Sequence, residues 1–119
     1  HDTVEDGSDF LQHDLNRVLG LICPDQTRFP PSDGYSYPGT RHFEEVESWP
    51  SAEEYLPGGD RSALLNADAH LKASIVGSSQ TFPLIDGELG FGVTGYIFFV
   101  DWDRDRPRTR TCRVTVIGE

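Results

Sequence analysis

The sequence predicts an α+β domain, with one N-terminal helix packed on a mainly antiparallel β-sheet, and three features carry that expectation. A helical apolar stripe lies near the start, turn-forming residues fill the middle, and the C-terminal third is rich in aromatic and β-branched residues. At 119 residues the chain fits one domain, read as an acidic tail over 1–8 followed by a single domain over 9–119.

The helix is expected over 9–22, where Leu11, Leu15, Val18 and Ile22 recur at helical spacing and Phe10 and Leu19 widen the stripe. Ser8 or Asp9 is suited to cap it, and Pro24 stops it soon after Cys23. Residues 24–40 hold four of the eight prolines and read as loop. A strand is expected over 41–48, and Pro50 is placed to open a short helical turn. Residues 61–77 carry two signals. Their Ala and Leu content favours helix, while Leu71, Ala73 and Ile75 alternate with His70, Lys72 and Ser74 as in a strand. The reading adopted is two strands meeting at Asn66-Ala67-Asp68. Gly-rich 87–95 reads as a mobile loop, and Tyr96–Trp102 and Arg110–Ile117 as the arms of an antiparallel hairpin.

The net charge of −10 disfavours general attraction to nucleic acid or anionic membrane. A local basic surface survives, because Arg104, Arg106, Arg108, Arg110 and Arg113 supply five of the ten basic residues. The plain reading is that they pair with the molecule's own acids, including the interleaved Asp101, Asp103 and Asp105. The chain begins at His1 without Met and reads as mature or trimmed, and no run approaches the roughly 20 apolar residues of a membrane span. Cys23 and Cys112 lack metal-site spacing, so a disulfide is the economical expectation. It would close a loop of about 90 residues, stabilise the fold by roughly 4 kcal/mol in the chain-entropy model, and imply an oxidising compartment.

Tyr37-Pro38, Glu47-Ser48-Trp49-Pro50, Pro57-Gly58-Gly59-Asp60-Arg61, Asn66, Leu71 to Val76 and Cys112-Arg113-Val114 occur in an order that resembles the guanyl-preferring fungal ribonucleases. The same set resembles the ribonuclease-like secreted effectors of plant-pathogenic fungi. The resemblance implies Glu47 as general base, Arg61 as phosphate-stabilising cation and Tyr37 as phosphate contact. Gly39 and Gly77 stand where that family has its histidines, so the implied scaffold is a pseudo-ribonuclease with vestigial residues only.

The expectation drawn from this resemblance is a secreted, fungal, non-catalytic virulence effector that is delivered into host cells and binds a host protein. RNA is the second partner, and neither metal nor cofactor is expected. The chain is expected to be a monomer away from the membrane. Contacts are assigned to Tyr35, Tyr37, Trp49, Tyr55, Arg104, Arg106, Arg108 and Arg110, since aromatic and arginine side chains dominate interfaces. Two alternatives stand beside it. One is an active secreted ribonuclease in which His42 and His70 supply relocated imidazoles beside Glu47; the other is an unrelated β-rich extracellular binding domain.

Overall fold

Helix α1, Leu11–Ile22, forms where the apolar spacing places it, and Pro24 follows its end. The computed structural model describes residues 11–93, 95–104 and 107–119. The expected tail over 1–8, the capping residues Ser8 and Asp9, Phe10, Asp105 and Arg106 therefore lie outside the described residues. Of the described residues of the α1 stripe only Leu19 is buried, while Leu11, Leu15, Val18 and Ile22 remain exposed. The stripe makes the helix but finds no sheet to cover it.

The expected helix-on-sheet architecture is overturned. The described residues form four α-helices, two 3₁₀ turns and one two-stranded sheet. Helix α2, Thr40–Glu47, occupies the stretch read as a strand, and it folds as a helix because Phe43 and Val46, one turn apart, enter the core together. Helix α3, Ala52–Tyr55, follows Pro50 as expected. The core gathers Phe43, Val46, Leu56 and Leu64, with Tyr55 packed against it.

Helix α4, Ala67–Val76, replaces the two strands expected over 61–77. Its Ala, Leu and Lys content carries the helix, and the alternating Leu71 and Ile75 stay exposed. The buried face is instead Ala67, Asp68, Ala69 and Lys72. Gly77 ends the helix at φ 87°, a backbone angle that disfavours side-chain-bearing residues. That requirement accounts for a glycine at the position compared above with a catalytic histidine.

Strands β1, Leu84–Ile85, and β2, Glu88–Leu89, pair with Leu84 opposite Leu89. Asp86 and Gly87, at φ 52° and 79°, form the tight two-residue turn between them, so Gly87 belongs to a defined hairpin rather than a mobile loop. The expected C-terminal hairpin has no strand ladder among the described residues. Its side chains still hold a hairpin-like register, Asp101 to Arg110 and Asp103 to Arg108. Tyr96, Ile97, Phe98, Phe99, Val114, Val116 and Ile117 are exposed. In keeping with this open end, the radius of gyration is 18.3 Å, against about 13–14 Å for a compact domain of this length. Cys23 is buried at the end of α1 and Cys112 lies exposed on the C-terminal segment; both are free thiols, so the expected disulfide is not formed.

Candidate functional site

The N-terminal end of α4 meets two other segments through one carboxylate. Asp68 is fully buried, and its Oδ1 accepts the Gln26 backbone N–H at 3.2 Å while Oδ2 accepts from Arg104 at 2.7 Å. Lys72, one turn along the helix, stands 3.7 Å from the same oxygen. A buried carboxylate persists only when it is paired and hydrogen-bonded, and both conditions are met here. The loop after α1, helix α4 and the segment 101–104 are thereby held together.

Gln26 adds a second tie. Its buried amide donates from Nε2 to the Tyr37 carbonyl at 2.7 Å and accepts the Ala67 N–H on Oε1 at 2.8 Å. One side chain thus joins the loop that bears Tyr37 to the start of the helix that bears His70. The Ala67 N–H, an orphan donor of the first helical turn, is satisfied by the same contact.

The outcome is a Tyr37 ring held between two imidazoles. The Tyr37 hydroxyl lies 3.0 Å from His42 Nε2, and the His70 ring meets the Tyr37 ring edge-on at 5.3 Å. With the phenol donating, His42 is the tautomer protonated on Nδ1. Burial holds the Tyr37 phenol above its ordinary value, and the nearby Asp103 carboxylate acts in the same direction. Asp103 in turn accepts from Asn66 at 2.9 Å and pairs with Arg108 at 2.8 Å. Beside Tyr37 and His70 opens a pocket of about 340 Å³ lined by Tyr35, Ser36, Tyr37, Ala67, His70 and Leu71. Apart from Ser36 and the imidazole its walls are ring and hydrocarbon surface.

Two of the residues singled out in the sequence, Tyr35 and Tyr37, line this pocket. Glu47 and Arg61 do not join it; they form a bidentate pair at 2.6 and 2.9 Å, with the Arg61 guanidinium over the Phe43 ring. Trp49 packs edge-on against Tyr55 at 5.2 Å. Arg104, Arg108 and Arg110 pair with Asp68, Asp103 and Asp101, the plain reading of the arginine run. The sequence reading gave no role to Gln26, Asp68 or Asp103 in this arrangement. The i,i+4 spacing of Asp68 and Lys72 is the local signal that points to their pairing. Among the described residues no cluster of three metal-ligating side chains occurs, and no helix is long and apolar enough to cross a membrane.

The elements among the described residues are mainly helical, and comparison with known proteins places the chain outside the ribonucleases. A model of the UPF0047 protein YjbQ-like family matches residues 3–119, and the chain belongs to that family. It is 46% identical over 54 residues to a UPF0047 protein of Methanothermobacter thermautotrophicus, covering 45% of this chain and 36% of the relative. It is 40% identical over 78 residues to the UPF0047 protein YugU of Bacillus subtilis, covering 66% of this chain and 53% of the relative. A UPF0047 protein of Methanocaldococcus jannaschii is 44% identical over 54 residues, 45% of this chain and 38% of the relative. The chain thus spans about half or less of the length of these relatives. No solved structure matches it.

These findings overturn the resemblance to fungal ribonucleases and to their effector relatives, on which the roles given to Tyr37, Glu47 and Arg61 rested. The relatives are bacterial and archaeal, so the reading as a secreted fungal virulence protein delivered into host cells is withdrawn as well. The short motifs behind it have local explanations: Gly77 ends a helix and Trp49 stacks on Tyr55.

Proposed function

We propose that the chain carries a small-molecule site for acid–base catalysis, with Tyr37, His42 and His70 as its proton-transfer groups. The observation that carries this reading is the Tyr37 phenol set between two imidazoles at the wall of an apolar pocket. Imidazole is the side chain that titrates near neutral pH, and a phenol raised above its ordinary value stays protonated and able to donate.

In this reading a small, uncharged, ring-bearing molecule enters between Tyr35 and Leu71. His70 removes a proton from the substrate or from an attacking water. Tyr37 turns its hydroxyl from His42 Nε2 to donate to the oxygen on which negative charge develops, and His42 relays a proton from solvent back to the phenolate through Nε2. The proton taken by His70 then leaves to solvent, to which its exposed ring has direct access.

Hydrolysis of p-nitrophenyl acetate, a flat neutral ester, tests the reading. Wild-type protein is expected to turn it over, and His70→Gln and Tyr37→Phe to slow it by about 10² to 10⁴. His13→Gln, which alters an exposed imidazole on α1, controls for unspecific histidine reactivity. Equal rates in all four proteins, or none above buffer, would overturn the proposal.

A further inference from the structure

A second depression lies apart from the Tyr37 pocket. It is an open cleft of about 760 Å³ walled by α1 through His13, Asn16, Arg17 and Gly20, and by Lys72, Asp25 and residues 101–104. We infer that this cleft binds a zwitterionic aromatic amino acid.

Lys72 is the anchor. Its side chain is only 9% exposed, yet its carboxylate neighbours, Asp25 and Asp68, stand at 3.5 and 3.7 Å. Charge-assisted hydrogen bonds close to about 2.7–2.9 Å, so the ammonium, paired with both acids at longer range and set over the Trp102 ring, can still take a closer acceptor from the cleft. Asp68 already accepts from Gln26 and Arg104. Asp25, whose side chain is 62% exposed, lies 3.5 Å from both Lys72 and Arg104 and is the acid of this group that faces the opening. An ammonium and a carboxylate 3.5 Å apart are close enough for one α-amino acid to meet both, carboxylate on Lys72 and amine on Asp25.

The lining charges favour this class over a simple ion. Arg17, Lys72 and Arg104 are balanced by Asp25, Asp101 and Asp103, so neither a free anion nor a free cation gains from the field of the cleft. A zwitterion satisfies both signs. Trp102 supplies the wall for an aromatic side chain, its half-buried ring lying 5.9 Å from the Lys72 ammonium. On the opposite wall Gly20 leaves α1 bare, and a Cβ there would meet nothing within 4 Å.

The chain has two tryptophans, so Trp49→Phe leaves Trp102 as the reporter for a fluorescence titration of the full chain. L-phenylalanine is expected to give a saturable change, with phenethylamine and 3-phenylpropionate each at least about tenfold weaker because each lacks one charge. Lys72→Met should remove the advantage of the carboxylate and Asp25→Asn that of the amine. Lys72 is buried, so its loss can perturb the fold; Gly20→Leu provides a variant that projects a good helix former into the cleft from a position where the Cβ meets nothing within 4 Å. It should abolish the saturable change. Equal affinity for the three compounds, no saturable change by about 10 mM, or unaltered binding in Gly20→Leu would overturn the inference.

Discussion

Arg104 donates to Oδ2 of Asp68 at 2.7 Å, joining a partly exposed guanidinium to a carboxylate with no solvent exposure. Removing the carboxylate leaves buried Lys72 beside a second cation and the Gln26 backbone N–H without its acceptor. Breaking a buried pair in this way costs about 3–5 kcal/mol. The lower end applies here, since Arg104 is 43% exposed and regains water. Asp68→Ala should therefore lower unfolding stability by about 3 kcal/mol, read from urea denaturation with the slope unchanged. A loss below about 1 kcal/mol would mean that the cluster does not tie the three segments together.

Glu47 and Arg61 offer a contrast, because their bidentate pair lies at the surface. The hydrogen bond from Arg61 holds the Glu47 carboxyl below its ordinary value. A depressed folded value contributes stability above the unfolded glutamate range and loses it as pH falls through the lowered folded value. Arg61→Ala should return the Glu47 titration, followed by NMR, to the ordinary glutamate range and flatten this acid limb.

Helix α1 was legible because its apolar residues repeat at helical spacing, although that spacing says nothing about what covers them. Helix α4 misleads for a physical reason. Its buried face holds Asp68 and Lys72, while Leu71 and Ile75 point outward, so a search for apolar periodicity follows the wrong side. Among the site residues, Tyr35 and Tyr37 stood out as aromatic loop residues. The cross-segment bonds of Gln26, Asp68 and Asp103 did not, because they join positions some 36 to 42 apart and leave no local pattern. The ion pairs of the arginine run were legible from interleaved charge alone.

The Tyr37 phenol should titrate above its ordinary value. Burial is the larger cause and Asp103 the second. A raised folded value means stability that is fully present below the ordinary phenol range and lost as pH climbs through it towards the raised value. Ultraviolet difference titration of wild type and Tyr37→Phe isolates the delayed transition. Asp103→Asn should move it only part of the way back, because the burial remains. A Tyr37 transition at the ordinary phenol value would remove the basis for treating it as a proton donor held in reserve.

Gln26 reaches Tyr37 and Ala67 with opposite ends of one amide, so its substitutions separate donor from acceptor. Gln26→Leu strips the buried Ala67 N–H and the Tyr37 carbonyl of partners together, and each unsatisfied group costs about 1–3 kcal/mol. Gln26→Glu keeps the acceptor for Ala67 but turns a carboxylate towards the Tyr37 carbonyl, so it should loosen the Tyr37 loop while leaving the start of α4 intact. Amide hydrogen exchange distinguishes the two: protection at Ala67 falls in the leucine variant and holds in the glutamate variant. The ring-current shift of Tyr37 on His70 weakens in both. Unchanged His70 shifts in both variants would show that the tyrosine and the helix keep their approach without this amide, and that the site is held by the Asp68 cluster alone.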